Sequence, residues 1–508
     1  MEETGSAASR DLAHAAPRLS QDWLARQYSF SAAALLRSIS ATHLVKSRPG
    51  FGQTIRPAKG SVLASRVIAS YDPDPDYFFH WVRDSAIVMD ALRCLIVAGA
   101  LGEEALGHFE DFVAFSLRLV DLDGRAFLSH AGDFRQSVEP FFMQYVRSDS
   151  DLAEITGEHT FGEPRFNPDG TLDIIKWSRP QHDGPALRAL AVMRFFELDA
   201  IGETETRAAM QTLIERDLAF IHHCWREPSF DIWEEELGRH YYTRLVQYAA
   251  LADGARWIDG LGKPDRAKAY REAAGEIAQS LDEHWSDAEG FYLSRLDVAP
   301  SASSKDLDIA TILAVIHADR REGAHSVLDP KVLATLARLE NLFETAYLIN
   351  QRRPEGCGPA MGRYAGDRYY SGGAYYFATL GAAQFYFRLA EVAAGATIQV
   401  APENRDILHR LAPTLVKNAP PPLGPLAPER RNDFFRAVLR RGEMFMATVE
   451  AYAPASGELA EQFDQTTGAP ASAKDLAWSH AAFITAFASR ESALRMAEIR
   501  LERRGGSA

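Results

Sequence analysis

The chain has few cysteines for its length, and they follow no pattern. Cys94, Cys224 and Cys357 are the only three in 508 residues, and none belongs to a CxxC pair. Because the count is odd and the positions are far apart, the sequence indicates neither a structural zinc site nor a disulfide framework. Cys94 and Cys224 stand in apolar helical runs, where we expect buried thiols.

Positive charge is also scarce. The chain carries 55 Lys and Arg against 69 Asp and Glu, a formal net charge of −14. An acidic protein repels phosphate backbones, so we expect no nucleic-acid partner. No apolar run reaches the length that a membrane span needs, and residues 1–20 lack the basic and apolar segments of a secretory signal. We therefore expect a cytoplasmic protein without membrane attachment. The sequence does not determine its oligomeric state.

Helical periodicity, in contrast, is plentiful. From Trp23 onward, apolar residues recur at helical spacing in about a dozen stretches, and strand-like alternation is scarce. The fold class is therefore mainly α. We predict a flexible tail over residues 1–20 and a single domain over 21–503. The prolines of 411–431 favour extended backbone, and we interpret that stretch as a connection inside the domain because helical periodicity resumes after it.

Five loops that precede helices combine aromatic residues with Asp, Glu or Arg. They are DYFFHWVRD (76–84), WSRPQHDGP (177–185), FDIWEEELGRHYY (230–242), GRYAGDRYYSGGAYY (362–376) and LAEQFDQTTGAPASAKDLAWS (459–479). Each acid taken alone could be only a helix cap or a first-turn acid. If alternate helices run parallel, however, the five loops gather at one end of the molecule and form one pocket.

The contents of these loops suit a sugar. The apolar face of a pyranose stacks on aromatic rings, and its hydroxyls need fixed donors and acceptors because a buried unpaired polar group is costly. The loops contain no phosphate-cradling glycine motif and no histidine pair at metal-ligand spacing. We therefore expect neither a cofactor nor a metal, and a carbohydrate as the partner.

Glycoside hydrolysis requires two carboxyl groups beside the bond that breaks. In FDIWEEELG, Glu234 and Glu235 directly follow Trp233, and an aromatic wall keeps a carboxyl group protonated, as a general acid must be. Either residue can be the acid. Glu461 in EQFD is a plausible base. The separation between the two groups is not given by the sequence, so retention and inversion both remain open on this ground.

Six blocks in order resemble the glucoamylase family of glycoside hydrolases, which includes the glucodextranases. They are DYFFHWVRDS, GEPRFNPDG, WSRPQHDGPALRA, FDIWEEELG, GRYAGDRYYSGG and EQFDQTTGAPASAKDLAWSHAA, within about Ser61 to Arg490. The resemblance implies an all-α fold, an α/α toroid of six helical hairpins with the active site in loops at one end. It also implies an exo-acting, inverting α-glucosidase that releases β-D-glucose from the non-reducing ends of oligo- or polysaccharides.

The resemblance also implies roles for individual residues. Glu234 would be the general acid and Glu461 the general base. Arg83 and Asp84 would hold the terminal glucose, and Tyr77 would lie near the developing oxocarbenium ion. The other expected substrate-binding residues are Trp81, Trp177, Glu235, Arg363, Tyr369, Tyr375 and Trp478.

Three positions depart from the family pattern. Tyr375 stands at the pocket rim where a Trp is common, Phe463 replaces a Tyr, and His80 replaces a smaller polar residue. None of these removes a carboxylate, but they leave the linkage open among α-1,4 glucans, α-1,6 isomalto-oligosaccharides and trehalose. The sequence also leaves open a glycoside phosphorylase, against which Glu461 argues, a non-catalytic sugar-binding relative, and a helical scaffold.

Overall fold

The computed structural model describes residues 19–70, 73–130, 134–198, 201, 205–299, 304–411 and 422–505. The tail expected over residues 1–20 lies outside the described residues except for its last two positions, and residues 412–421 of the proline-rich connection at 411–431 lie outside them as well. The division into a tail and one domain over 21–503 therefore stays a prediction.

Helices make up most of the described chain. In chain order, α1 to α16 span Gln21–Ser38, Val82–Val97, Leu106–Val120, Gly124–His130, Asp149–Ala153, Asp183–Phe196, Glu205–Cys224, Tyr241–Gly260, Pro264–Asp282, Ala310–Ala318, Pro330–Ala346, Leu348–Gln351, Tyr376–Ala393, Arg405–Leu411, Arg431–Tyr452 and Ala477–Gly505.

Local signals explain where several of these helices begin. The side chain of Ser20 caps α1 by accepting a hydrogen bond from the backbone N–H of Trp23 at 3.2 Å. The carboxylate of Asp329 caps α11 in the same way, with Pro330 at the first helical position, where its missing N–H costs nothing. No helix in the described part of the chain is both long and apolar enough to cross a membrane.

Six helices form a closed inner ring. Helices α2, α6, α8, α10, α13 and α16 each pack against the next, and α16 packs back against α2. Helices α7, α9, α11 and α15 pack outside the inner helix that each follows, and α1 packs outside α16. This arrangement is the α/α toroid of helical hairpins that the family resemblance implies.

The alternation of inner and outer helices fixes the direction of the inner ring. From α6 to α16, an outer helix returns the chain between each inner helix and the next, so these inner helices run the same way and begin at one end. Helices α8 and α13 are buried on almost every side, because one face meets the outer helices and the other faces the barrel interior. Gly381 lets α13 approach α10, since an added Cβ would lie 2.6 Å from Leu313.

Short antiparallel strands pair within and between the loops. In chain order, β1 to β16 span Lys46–Arg48, Gln53–Ile55, His80–Trp81, Arg165–Phe166, Ser229–Phe230, Leu237–His240, Trp285–Ser286, Phe291–Tyr292, Arg295–Leu296, Ser304–Asp308, Tyr364–Ala365, Ala374–Tyr375, Gln399–Val400, Gly424–Pro425, Gln462–Phe463 and Pro470–Ala471. Strands β3, β6 and β12 lead directly into α2, α8 and α13, and they pair with β4, with β5 and β9, and with β15 respectively. The loops in front of the inner helices are therefore tied to one another.

Candidate active site

A cavity of about 570 Å³ opens among the loops in front of the inner helices. Its volume lies in the range of small-molecule sites. The expected residues that line it are Tyr77, Trp81, Arg83, Asp84, Trp177, Glu234, Glu235, Arg363, Tyr369, Glu461 and Trp478. The other lining residues are Lys176, Ser178, Phe230, Ile232, Trp233, Phe377 and Leu476. The five loops therefore meet in one pocket, as expected from the sequence.

The loop that carries Glu234 holds this residue in an unusual backbone conformation. Its φ is +65°, in the left-handed region that L-residues with a side chain rarely adopt. The Glu234 N–H donates to the carbonyl of Asp231 at 2.9 Å, and the carboxylate of Asp231 accepts from the N–H groups of Glu235 and Glu236 at 2.7 and 2.9 Å. The hydroxyl of Ser178 donates to the Glu234 carbonyl. The surroundings thus enforce a conformation of the kind that clusters at functional sites.

The carboxylate of Glu234 is surrounded by hydrogen-bond donors. One oxygen accepts from the Trp81 indole N–H at 2.8 Å, the Gln181 amide at 3.0 Å and the Arg83 guanidinium at 3.3 Å. The other oxygen accepts from the Trp177 indole N–H at 2.5 Å. The rings that contact the Glu234 carboxylate are thus those of Trp81 and Trp177, and they present their polar N–H edges to it.

Trp233, the ring next to Glu234 in sequence, has a different partner. Its indole N–H donates to Asp308 at 2.7 Å, and Asp308 also accepts from the N–H of Ala310 at the start of α10 at 2.7 Å. Asp308 is buried, and desolvation raises its pKa to about 7. The ring that the sequence predicted to desolvate Glu234 therefore binds a different carboxyl group, that of Asp308.

Glu461, in the loop 459–479 in front of α16, is more strongly desolvated. One carboxylate oxygen accepts a short hydrogen bond from the Ser472 hydroxyl, and the other lies 3.4 Å from the Tyr77 hydroxyl, which is itself 2.8 Å from the Tyr369 hydroxyl. Burial raises the pKa of Glu461 to about 7, although Ser472 and the charge of Arg363 act in the opposite direction. Glu234 and Glu461 thus face the same cavity.

Arg83 and Asp84 occupy the first turn of α2 at the pocket wall. The Arg83 guanidinium donates to Asp183 at 2.9 Å and to Gln181 at 3.0 Å, besides its bond to Glu234. Burial raises the pKa of Asp84 to about 6, and the nearby charge of Arg83 partly offsets this. A fixed guanidinium beside a carboxyl group offers both donors and acceptors to the hydroxyls of a sugar.

Glu235 points into a cluster of cations. It lies 3.1 Å from the Arg363 guanidinium, contacts the Lys305 ammonium and accepts from the Tyr364 hydroxyl at 2.7 Å. Although burial acts to raise it, the charges of Arg363 and Lys305 hold the pKa of Glu235 below its ordinary value. Arg363 is in turn fixed by two bonds to Asp367 at 2.7 and 2.5 Å.

Tyr375 is the expected site residue that does not line the pocket. Only 1% of it is exposed, because β12 pairs with β15 and sets Tyr375 opposite Gln462. Its hydroxyl accepts from the Gln462 amide at 2.7 Å and lies 3.4 Å from Asp367. The expectation of a Tyr at the pocket rim is therefore corrected: this ring lies behind Arg363.

Sequence reasoning missed several polar residues of the site. Gln181 and Ser178 belong to one of the five marked loops, and only their contacts distinguish them from their neighbours. Lys305 and Asp308 lie on β10, in front of α10, in a sixth loop whose sequence SKDLD contains no aromatic residue to mark it. Within the described part of the chain, no cluster of three or more His, Cys, Asp or Glu side chains could hold a metal ion.

Comparison with known proteins agrees with this geometry. The sequence profile described as Glycosyl hydrolases family 15 matches residues 52–488. Glucoamylase 1 of Rhizopus oryzae is 28% identical over 474 residues, which cover 91% of this chain and 70% of that protein. A glucoamylase of Blastobotrys adeninivorans is 28% identical over 464 residues, covering 85% of this chain and 68% of that protein.

Solved structures give the same result. The family 15 glucoamylase from Hypocrea jecorina superposes with a TM-score of 0.74 at 26% identity, covering 92% of this chain and 72% of that one. A glucoamylase from Saccharomycopsis fibuligera, at 23% identity, shares the fold with a TM-score of 0.74 and covers 96% of this chain and 98% of that one.

Proposed function

We propose that this chain, which belongs to Glycosyl hydrolases family 15, uses its pocket to remove single glucose units from the non-reducing ends of α-glucans. The activity is that of an exo-acting, glucoamylase-like glucosidase. The observation that carries the assignment of the site is that Glu234 and Glu461, from two distant loops, line one cavity walled by aromatic rings.

The proposed reaction is a single displacement with inversion. Glu234 donates a proton to the glycosidic oxygen as the bond from that oxygen to the anomeric carbon breaks. Glu461 takes a proton from a water molecule that attacks the anomeric carbon from the other face of the ring. The products are β-D-glucose and a glucan shortened by one unit, and a proton must return from Glu461 to Glu234 through solvent before the next cycle.

The roles of the two residues are assigned from their places in the family pattern. Their surroundings differ, because four donors contact the Glu234 carboxylate, whereas burial raises the pKa of Glu461 to about 7. Variants of the two residues therefore have to test the assignment.

The remaining lining residues hold the substrate in this proposal. Arg83 and Asp84 bind the hydroxyls of the terminal glucose, while Trp81, Trp177, Tyr77 and Tyr369 provide rings against its apolar surfaces. Glu235 and Arg363 bind the next sugar, and Trp478 closes the pocket beside Phe377, on which its ring stacks at 4.4 Å. Charged partners fixed by further ion pairs give orientation to a ligand that is itself neutral.

The experiment that tests the proposal is proton NMR of the fresh product. Maltotriose and isomaltotriose are given separately to the enzyme in phosphate-free buffer, and the first anomer of glucose is recorded before mutarotation. We expect β-glucose, with maltotriose as the faster substrate. Faster turnover of isomaltotriose would make the chain an α-1,6-preferring member, and early α-glucose would contradict inversion.

Absence of product from both trisaccharides would contradict the α-glucan assignment. Trehalose is then the next substrate to supply, and a dependence of turnover on added phosphate would indicate a phosphorylase. Binding of maltotriose without turnover would indicate a non-catalytic relative.

A further inference from the structure

Arg165 lies among the rings that surround Glu234, although it does not line the pocket. Its side chain is completely buried. The centre of its guanidinium is 3.7 Å from the centre of the Trp177 ring, 4.1 Å from that of Phe79 and 4.9 Å from that of Trp81. Contacts of this length between a cation and an aromatic face are favourable, more so when water is excluded.

Strand pairing and one carboxylate together place Arg165 beside the two tryptophans. Strand β4 pairs with β3, so Arg165 lies directly opposite Trp81. The Arg165 Nε donates to the Asp173 carboxylate at 2.8 Å, and the same carboxylate accepts from the N–H of Ile175 at 2.9 Å, two residues before Trp177. One carboxylate therefore links the guanidinium to the backbone segment that carries Trp177.

The bonding of Arg165 is not that of an ordinary buried ion pair. Its two terminal nitrogens are buried and have no hydrogen-bond partner among the described residues. Arg188, which is equally buried, instead forms a two-pronged pair with Asp217, with distances of 2.9 and 2.7 Å. Unpaired buried N–H groups are costly. The Arg165 guanidinium nevertheless forms one bond to Asp173 and lies against the rings, where a second bond to that carboxylate is not made.

We propose that Arg165 is a positioning residue for the general acid, a role that rests on the proposed function of Glu234. Its planar cation packs against the faces of Trp81 and Trp177 and fixes the planes of both indoles. Their N–H groups then converge on the two oxygens of Glu234 at 2.8 and 2.5 Å. A positive charge on the ring face also draws electron density from the indole, which makes each N–H a stronger donor. Asp173 keeps Arg165 in place.

The test compares two substrates in Arg165→Met and Arg165→Lys variants. Maltose needs a proton on its leaving oxygen, whereas α-D-glucosyl fluoride releases fluoride with little help from an acid. We expect Arg165→Met to lower kcat on maltose by roughly 10- to 100-fold, the scale of a misplaced catalytic group, and to lower kcat on the fluoride much less. Arg165→Lys, which retains the charge but not the plane, should show the same selectivity with a smaller loss.

A double-mutant cycle with Trp177→Phe separates positioning from general destabilisation. If Arg165 acts through this indole, Arg165→Met should cost distinctly less on maltose in the Trp177→Phe background than in the wild type. Arg188→Met is the matched control, because it removes a buried arginine whose partner lies on the outer helix α7. Its effect on maltose and on the fluoride should be equal, and it should multiply with that of Trp177→Phe.

Each outcome bears on the proposal. Equal losses on both substrates in Arg165→Met, or losses that multiply with those of Trp177→Phe, would overturn the positioning role and leave the proposed function intact. If Arg165→Met does not fold, Arg165→Lys decides on the same two substrates. A wild-type enzyme that hydrolyses neither maltose nor the fluoride would overturn the proposed function and this role together.

Discussion

The two loops that carry Glu234 and Glu461 hold their carboxylates in opposite ways. Glu234 accepts hydrogen bonds from two indoles, a guanidinium and an amide. Glu461 accepts one from the hydroxyl of Ser472 and a longer one, of 3.4 Å, from the hydroxyl of Tyr77, and its burial raises its pKa to about 7. Short three-stranded sheets brace both loops, β12, β15 and β16 beside Glu461 and β5, β6 and β9 beside Glu234, and Glu234 itself adopts a left-handed backbone conformation.

This contrast shows that the family pattern and the local environment give separate information about the roles of the two carboxyl groups. The family pattern assigns the acid to Glu234 and the base to Glu461. Four donors contact the Glu234 carboxylate, whereas two hydroxyls contact that of Glu461. A general acid needs a proton and a general base must lack one, so the exchange of the two roles is the alternative that experiment has to exclude. The following variants separate these cases.

The largest effect should come from Glu234→Gln. This change removes the proton donor but keeps the size of the side chain and an acceptor for the indoles. We expect kcat on maltose to fall by about 10²–10⁴-fold, with a much smaller loss on α-D-glucosyl fluoride, measured as glucose release. Glu236→Gln is the control, since Glu236 pairs with Arg295 and does not line the pocket. An equal loss on both substrates would assign Glu234 the role of base.

Glu461→Gln should lose activity to a similar extent, but with a different signature. Without a base, water is not activated whichever group leaves, so maltose and the fluoride should be affected alike, by about 10²–10⁴-fold. Added azide, which needs no deprotonation to attack, should restore turnover of the fluoride and yield β-D-glucosyl azide, detected by NMR. Asp464→Asn, in the same loop, serves as the control.

If azide rescued Glu234→Gln and not Glu461→Gln, the two roles would have to be exchanged. If it rescued neither variant, the single-displacement mechanism itself would be contradicted.

Much of the fold could be predicted from the sequence because helical periodicity is a local property. The inner helices α8 and α13 begin directly after the loops that the aromatic and acidic residues marked. The two-residue strands could not be predicted, because pairs such as β3 with β4 are formed by tertiary contacts and carry no periodicity of their own.

The site residues that could be predicted are those in loops where aromatic and charged residues cluster. Trp177 and Arg363 stood out because aromatic and charged residues cluster around them. Lys305 and Asp308 did not, since their loop carries no aromatic residue. The prediction for Tyr375 is wrong because only the register of β12 on β15 decides which way its ring points, and a shift of one residue would reverse it.

A smaller and more specific change is Ser472→Ala, which acts on Glu461 alone. The Ser472 hydroxyl stabilises the charged carboxylate, so its loss should raise the pKa of Glu461 further. With Glu461 as base, kcat/KM falls as pH drops below this pKa, and the acidic limb of the profile should move upward by about one pH unit. The measurement is kcat/KM on maltose from about pH 5 to about pH 9.

Ser371→Ala is the matched control, because Ser371 bonds to the neighbouring Gln462 at 2.8 Å and not to Glu461. Its profile should superpose on that of the wild type. A shift of the alkaline limb in Ser472→Ala, with the acidic limb unchanged, would show that Glu461 works in its protonated form and would contradict its assignment as base.

The smallest effect concerns Asp308. This buried carboxyl group is an exception to the contrast between the two loops, because it accepts from Trp233 in the loop of Glu234 and yet is desolvated. Burial raises its pKa from the ordinary 3.8 to about 7, so between those values the folded state binds more protons than the unfolded state. The free energy of unfolding therefore decreases as pH rises through this window and stays low above it. The side chain at position 308 in Asp308→Asn is neutral at every pH, so the stability of this variant does not fall in this way.

The difference in Tm between Asp308→Asn and the wild type should therefore be larger at about pH 8 than at about pH 5, by about 1–2 °C in favour of the variant. An offset between the two proteins that is the same at both pH values would mean that Asp308 is already charged in the folded protein, and that desolvation is confined to the Glu461 side of the pocket.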